Sequence, residues 1–497
     1  MARRFHDIPT MSLGRFLGLF VASGCVALVG CADAAHEGTF EEPGTVRQAV
    51  GSCAGISASN LEYQSDGCKK KRVPSNKDRF VGCPIVSTVS SGYVTGAATH
   101  TVDANALKGI VPADVNVTAI IIRRVNGVPH YRYLSNGTHD VAYQPWSSTK
   151  FMAVAGAGAA LRKKSGGKVG LTAKAANGAP LGDLVTIIAS YREDRYTSNG
   201  LARYFLNVAG RPAVSSLIHD WLGRPAGETY GGNYGQPTPT GLGYTFTEAN
   251  GDSVTITSDE TAGPANHLSA HTEAEFMKRL VAYDDAATRL PDLQKADIET
   301  MLYGPVTSLY YPGKTGGLSS DITAYVQSAL DMDKVEKESQ GKWRTFGKVG
   351  FSGDGEFVLV SHTCLPVLDA QGQPVPNKGA EVVIATRAVD NGKSMVDRDQ
   401  ELGAVYKDLF QKGLLPVAQT EGPPVVGPGG ASSSGDPSSP ADPNNPNPPG
   451  ATSSGDAPHA QEGSADSGCA TSPSRTGSPF AGGALALVAI AIRRRRR

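Results

Sequence analysis

The chain lacks an excess of charge of either sign, since 47 lysines and arginines balance 47 aspartates and glutamates. Proteins that bind nucleic acid carry clustered basic residues, so we expect no nucleic-acid partner. The chain also lacks the cysteine spacing of a zinc site, although it contains seven cysteines. These absences direct attention to chemistry that uses neither a metal nor nucleic acid.

Neither terminal apolar run reaches the ~20 residues that a membrane-spanning helix needs. Residues 16–29 are apolar and follow three arginines, which is the pattern of a secretory signal peptide. Residues 480–492 are apolar and precede five arginines, which would hold that end in the cytoplasm. The two ends together predict export of the body of the protein.

Two cysteines suggest how the exported protein is anchored. The Leu-Val-Gly-Cys string that ends at Cys31 resembles the bacterial lipobox, which would leave Cys31 as a lipid-modified first residue. An ordinary signal peptide is the alternative, and Cys25 is a second candidate. Cys469, the short apolar run and the terminal arginines resemble the C-terminal sorting signal of myxobacterial surface proteins; a plain tail anchor is the alternative. We expect attachment to a bacterial envelope or surface through the N-terminal lipid, the C-terminal anchor or both.

Composition divides the chain into five segments. Residues 416–468 are rich in Pro, Gly and Ser, cannot bury a core and predict a disordered linker. Four cysteines remain outside the signals, and their even number in an exported chain favours disulfides without deciding among three pairings: Cys53, Cys68, Cys83 and Cys364. The predicted segments are a signal peptide (1–31), a cysteine-containing lead-in (32–100), the body (101–415), the linker (416–468) and the sorting signal (469–497).

Strand signals occur mainly at the two ends of the body. An Asn126-Gly127 turn joins apolar stretches at 115–125 and 129–134, which predicts a hairpin. Three late stretches are also strand-like: 343–352, 357–367 and 381–388. Between the two groups lie predicted helices at 201–208, 213–222 and 272–290, with a small hairpin at 244–257, and a last helix follows at 397–410. The expected fold is α+β, with an antiparallel sheet of about five strands built from both ends of the domain and an all-helical half inserted between.

Ser147 and Lys150 begin a helix rich in small apolar residues. Three positions apart, they share one face of the helix. A serine hydroxyl beside a lysine amine can lose its proton to that amine and become a nucleophile. The alternative is a serine-capped core helix that carries an incidental lysine.

The body resembles the serine β-lactamase and D,D-peptidase superfamily over about residues 115–415. Ser147 and Lys150 match its Ser-x-x-Lys motif, which follows an N-terminal hairpin as it does in the family. The family's second motif, Ser-x-Asn, is matched by Thr197 and Asn199 before a predicted helix. The resemblance implies that Thr197 handles a proton and that Asn199 holds the substrate amide and the lysine. An Asn-Gly turn without chemistry is the alternative.

The family's third motif, Lys-Thr-Gly, has two candidates. Lys314 opens a string with the right letters, but a loop follows it. Lys348 opens a Lys-Val-Gly string that ends at Gly350 inside the first late strand, where the family places the motif. We favour Lys348 and keep Lys314 as the alternative. The family lysine and hydroxyl bind the substrate carboxylate, so Val349 in the hydroxyl's place predicts weaker carboxylate recognition.

One family feature is missing, because no Glu-x-x-Leu-Asn string occurs between Trp221 and Lys314; Glu228 and Glu260 lack the right neighbours. The resemblance implies a surface-anchored serine hydrolase. It would act on a β-lactam, a peptidoglycan-like amide or a related acyl substrate through an acyl-serine, without cofactors or metal. Its partners would be a small-molecule or peptide substrate and the membrane. The alternatives are a catalytically degenerate surface-binding module and an unrelated α+β protein.

Overall fold

The computed structural model describes residues that lie within the unit Met1–Gly427. The described residues are 83, 85–86, 89–96, 101–259, 263–321, 325–352, 356–388 and 395–415. The predictions for the signal peptide with Cys31, the linker and the sorting signal lie outside them, as do Cys53 and Cys68. Within these ranges no helix combines the length and apolarity that a membrane span requires.

The predicted strands and helices occur in the predicted order, together with shorter elements that the sequence patterns do not indicate. The strands are β1 (Ile85–Val86), β2 (Val94–Thr95), β3 (Val102–Asp103), β4 (Asn116–Val125), β5 (Val128–Ser135), β6 (Ala142–Tyr143), β7 (Thr245–Thr247), β8 (Ser253–Thr255), β9 (Leu268–Ser269), β10 (Arg344–Phe351), β11 (Phe357–Leu365) and β12 (Ala380–Ala388). The α-helices are α1 (Lys150–Lys164), α2 (Leu181–Ser190), α3 (Ser198–Ala209), α4 (Arg211–Ser216), α5 (Ala270–Val281), α6 (Lys295–Tyr303), α7 (Tyr325–Ser328), α8 (Met332–Ser339) and α9 (Met395–Asp408). Two 3-10 turns, Trp146–Thr149 and Gly317–Ser320, and two π-helical turns, Leu217–Trp221 and Leu409–Leu414, complete them.

A mixed sheet brings the two ends of the body together. Its strand order is β10-β11-β12-β4-β5-β2, and the short strands β1 and β3 pair in parallel with β4 and β5. The junction is antiparallel, with Val382 of β12 opposite Ile121 of β4. The five long strands are therefore antiparallel, come from both ends of the domain and enclose the helical half in sequence. The predicted α+β fold class is confirmed.

The hairpin of β4 and β5 shows how local sequence decides the sheet's register. Asn126 and Gly127 have φ of 51° and 82°, the left-handed values that the tight hairpin turn requires at both positions. Val125 therefore pairs with Val128. Alternation along β4 then sends Ile120 into the core under α1 and Ile121 into the core under α9, so both faces of the sheet are buried.

Two regions differ in detail from the prediction. Helix α5 ends at Val281, not at residue 290, because the Asp285 carboxylate accepts hydrogen bonds from Ala287 N (3.1 Å) and from the Thr288 hydroxyl. Such local side-chain bonds compete with helix continuation. The predicted lead-in contributes β1 and β2 to the sheet, and the sulfur atoms of Cys83 and Cys364 are paired (Sγ–Sγ 2.19 Å), which ties it to β11.

Candidate active site

Ser147 lies in the 3-10 turn that leads directly into α1. Pro145 O accepts hydrogen bonds from the backbone N–H of Ser148 (3.3 Å) and from its hydroxyl (2.6 Å). Trp146 has a φ of 53°, a conformation that bulky residues rarely adopt and that clusters at functional sites. Its indole Nε1 donates to Glu356 (2.8 Å) at the start of β11. The turn is thus held from several sides, and it fixes the backbone of Ser147.

Gly350 of β10 packs directly against this turn. A Cβ atom at Gly350 would lie 2.5 Å from Pro145 O and 2.7 Å from the backbone nitrogens of Ser147 and Ser148. Real Cβ atoms do not approach backbone atoms this closely, so the position requires glycine. The contact sets the edge of the sheet beside the amide of Ser147.

Lys150 lies one turn beyond Ser147, and its side chain is 0% exposed. Its ammonium donates to Asn199 Oδ1 (2.5 Å) and to Ser198 Oγ (3.1 Å), both in the first turn of α3. The rings of Tyr191 and Tyr234 each have their centre 5.5 Å from Nζ. Three predicted site residues, Ser147, Lys150 and Asn199, therefore lie at one junction of α1 and α3.

Thr197 is placed differently from its predicted role. It is the N-cap of α3: its hydroxyl accepts from Gly200 N (3.1 Å) and donates to Gln236 Oε1 (2.8 Å). A capping side chain must turn toward the open N–H groups of its helix. The hydroxyl that the structure places on Lys150 is that of Ser198, the next residue, which we did not single out from the sequence.

The two candidate lysines of the third motif occupy different surroundings. Lys314 lies on an exposed loop between α6 and the Gly317–Ser320 turn. Lys348 lies on β10, is 0% exposed, and donates to the Tyr191 hydroxyl (2.6 Å) and to Val349 O (2.7 Å). The Tyr191 ring contacts both Lys348 and Lys150, so Lys348 is the candidate that shares the surroundings of Lys150.

The long segment between α4 and α5 contains a buried glutamate, Glu228, whose hydrogen bonds go to other residues of the protein and not to Lys150. Glu228 accepts hydrogen bonds from Arg224 Nη2 (2.9 Å) and from the backbone N–H of Ser269 (2.9 Å). Instead, the segment places Tyr234 and Asn266 on the hydroxyl of Thr149, each 3.1 Å from its oxygen. Glu260, the other glutamate considered from the sequence, lies outside the described residues.

A second buried carboxyl, Glu273 of α5, lies beneath the Ser147 turn. Its two oxygens share hydrogen bonds with the Ser148 hydroxyl and with the Tyr143 hydroxyl (2.6 Å). Burial raises the pKa of Glu273 from 4.5 to about 7, although these two hydrogen bonds oppose the rise. The support of the turn therefore contains a group that titrates near neutral pH.

Glu273→Gln should remove the pH dependence that this carboxyl imposes on the free energy of unfolding. From about pH 4.5 to about pH 7 the unfolded chain loses the Glu273 proton while the folded protein keeps it, so folding becomes less favourable as pH rises. The loss corresponds to about 3 kcal/mol, at about 1.4 kcal/mol for each pH unit. The free energy of unfolding of the variant, minus that of the wild type, should rise by this amount across the interval, as measured by urea denaturation.

Glu275→Gln is the matched control on the same helix. Burial would raise the pKa of Glu275, but the charges of Lys278 and Arg279 outweigh it and lower the pKa to about 2. Its stabilising effect is complete above about pH 4.5 and is lost as pH falls toward 2. The difference between this variant and the wild type should therefore stay constant between about pH 5 and pH 6, below the range in which Lys278 titrates; that lysine pairs with Glu275 (2.6 Å), and burial lowers its pKa to about 8. A constant difference for Glu273→Gln as well would contradict the raised pKa.

Potential metal ligands also meet where Cys83, just before β1, approaches β11 and β12; donor atoms of Cys83, His362 and Glu381 lie within 4.8 Å of one another. The Cys83 sulfur is paired with Cys364, and the Glu381 carboxylate is engaged by Arg124 Nε (3.1 Å). These bonds account for the group without a metal ion.

Comparisons with known proteins give only distant similarities. No protein-family model and no curated protein matches the sequence. Solved structures that match include a class A β-lactamase from Mycobacterium abscessus (12% identity, 62% of this chain and 97% of that chain, TM-score 0.35). Another is a β-lactamase from Xanthomonas campestris pv. campestris (13% identity, 62% and 94%, TM-score 0.35). A third is a class A β-lactamase described as the last common ancestor of Gram-negative bacteria (13% identity, 59% and 92%, TM-score 0.35). Such values assign no activity, which must be argued from the site itself.

Proposed function

We propose that this chain is an exported, surface-anchored serine hydrolase that works through an acyl-serine intermediate. One observation carries the proposal: a strained turn places Ser147 one helical turn before a fully buried lysine. That lysine is held by Asn199 and Ser198, and a glycine-bearing strand lies against the Ser147 amide. A nucleophile, a base and an oriented partner for the base are the parts that covalent acyl transfer needs.

In the proposed reaction, Ser147 Oγ attacks the substrate carbonyl while Lys150 Nζ takes its proton. The bond from the carbonyl carbon to the leaving nitrogen or oxygen then breaks, and the leaving group departs with that proton. Asn199 and Ser198 keep the amine in position and return it to the same place after each transfer. Proton transfer by a positioned group contributes about 10²–10⁴-fold to such reactions.

Backbone N–H groups would stabilise the negative oxygen of the tetrahedral intermediate. We assign this role to the N–H of Ser147 and to that of Phe351, the residue after Gly350 on β10. The close approach at Gly350 supports the pairing, because it holds this strand against the Ser147 amide. Donors fixed in this way need no reorganisation when charge develops.

The substrate class would be a β-lactam, a peptidoglycan-like amide or a related acyl compound, met outside the cytoplasm. The signal sequence, Cys31 and the C-terminal apolar run support export and attachment to a bacterial envelope. Water attack on the acyl-serine is the weak step, because the Glu228 carboxylate is engaged by Arg224 and Ser269. We therefore expect the acyl-enzyme to accumulate.

Accumulation of the acyl-enzyme is tested by mass spectrometry of the intact protein. The probes are a penicillin and, separately, the phenyl ester of N-phenylacetylglycine, which carries no charge. We expect a mass increase equal to the acyl group, located on the peptide that contains Ser147, and an adduct that survives removal of free probe by gel filtration. An adduct that disappears as fast as it forms would show that the protein has an efficient deacylation base.

The alternative is a catalytically degenerate relative that serves as a cell-surface binding module. The complete burial of Ser147 and Lys150 and the engagement of Glu228 favour it. If neither probe modifies the protein, and Ser147→Ala binds peptidoglycan fragments as tightly as the wild type, this alternative replaces the hydrolase.

A further inference from the structure

Tyr191 contacts both buried lysines of the candidate site. It follows the last residue of α2 with a φ of 52°, so the chain turns there and sends the ring away from the helix. Its ring centre lies 4.1 Å from Lys348 Nζ and 5.5 Å from Lys150 Nζ. Only 5% of the residue is exposed, so the ring is part of the site's interior and not of its rim.

The Tyr191 hydroxyl also occupies the ammonium group of Lys348. It accepts a hydrogen bond from Lys348 Nζ (2.6 Å) and donates one to Val349 O (3.0 Å). Lys348 Nζ donates a second hydrogen bond to the same carbonyl (2.7 Å). An ammonium group has only three N–H donors, and these two bonds, together with the π face of the ring, engage most of its surface. Lys348 is therefore bound within the protein by the Tyr191 hydroxyl and by the backbone carbonyl of Val349.

We infer that Tyr191 blocks Lys348 as an anchor for a substrate carboxylate, and that the site prefers acyl substrates with a neutral leaving group. The inference rests on the proposed function and names its substrate class. A carboxylate beside the scissile bond would have to displace the phenol from a short, charge-assisted hydrogen bond. It would gain no open cation in exchange, because the Lys348 side chain is 0% exposed. Val349 also supplies no hydroxyl that would compensate.

The experiment compares two esters that differ by one charge. They are the phenyl ester of N-phenylacetylglycine and the same ester with a meta-carboxylate on the phenol ring. Stopped-flow measurement of phenol release gives the acylation rate constant for each ester. Each constant is then divided by the rate constant for hydrolysis of the same ester by hydroxide. We expect the wild type to prefer the neutral ester by about tenfold or more, a difference that one charge-assisted hydrogen bond accounts for. Tyr191→Phe keeps the ring but removes the hydroxyl that accepts from Lys348 Nζ. It should therefore reduce the preference for the neutral ester by about tenfold.

Tyr204→Phe is the matched control, since it removes a buried phenol hydroxyl that bonds Gly243 O (2.7 Å) and contacts neither lysine. Its preference should equal that of the wild type. If Tyr191→Phe fails to fold, Lys348→Met provides the second test, because removing an already blocked cation should slow both esters by the same factor. A wild-type preference for the charged ester, an unchanged ratio in Tyr191→Phe, or a selective loss of the charged ester in Lys348→Met would overturn the inference. If no ester releases phenol in a Ser147-dependent manner, the proposed function fails instead.

Discussion

Ser147→Ala should abolish acylation by both the penicillin and the neutral phenyl ester. Without the hydroxyl no covalent bond to the substrate can form, so no adduct and no burst of phenol are expected. Lys150→Ala should lower the acylation rate by about 10²–10⁴-fold, because it removes the group that takes the serine proton. Adduct formation is followed by intact-protein mass spectrometry, and the rate by stopped-flow phenol release.

Ser148→Ala is the neighbouring control for this prediction. The Ser148 hydroxyl bonds Pro145 O and Glu273, so its removal tests the loss of a buried serine that has no role in the chemistry. It removes one of the bonds that hold the Ser147 turn, so it should acylate more slowly than the wild type but should still form the adduct, which Ser147→Ala cannot. An adduct that persists in Ser147→Ala, or disappears only in Ser148→Ala, would show that Ser147 is not the nucleophile.

Gly350→Ala should damage both the stability of the protein and its acylation rate. The added methyl group would lie 2.5–2.7 Å from backbone atoms of Pro145, Ser147 and Ser148, so either β10 or the turn must move. Overpacking of this kind costs about 1–3 kcal/mol of unfolding free energy. A displacement of the Ser147 amide by about 1 Å should lower the acylation rate by about 100-fold. Thermal unfolding and stopped-flow kinetics measure the two effects.

Gly347→Ala on the same strand separates this close contact from a general intolerance of β10 to side chains. A Cβ atom at Gly347 would lie 3.4 Å from the Asp321 carboxylate, an ordinary van der Waals distance. Its stability and acylation rate should stay near those of the wild type. If Gly350→Ala behaved equally mildly, the strand would not be seated against the Ser147 turn, and Phe351 N–H would lose its proposed role.

Most residues of the candidate site could be predicted from the sequence, but the hydrogen bonds between them could not. Ser147, Lys150 and Asn199 match short motifs. The spacing within each motif is kept on folding, because each motif lies at the start of one helix. Thr197 and Ser198 show the limit. They are adjacent hydroxyl residues, and which of them reaches Lys150 depends on which residue caps α3. Helix boundaries are uncertain by a residue or two in any sequence-based prediction.

Tyr191, Tyr234 and Glu273 escaped prediction for a different reason. Each reaches the site from an element remote in sequence, and none belongs to a periodic pattern or motif. The structure shows a positive φ at Tyr191, where α2 ends, and the sequence gives no sign of this turn. Contacts of this kind are decided when helices and sheet pack, and a single sequence contains no rule for them.

The sequence by itself determined the elements and their order. Asn126-Gly127 admits the left-handed conformations of a tight turn, so the hairpin and its register follow from local chemistry. The apolar strands at both ends of the body likewise predicted a shared sheet, since each strand has to bury its side chains against another element. The tertiary structure alone decided that Ser198 contacts Lys150 and that Tyr191 contacts both Lys348 and Lys150. These choices depend on distances between residues up to 157 positions apart in the chain, and such distances are set only when the helical half closes on the sheet.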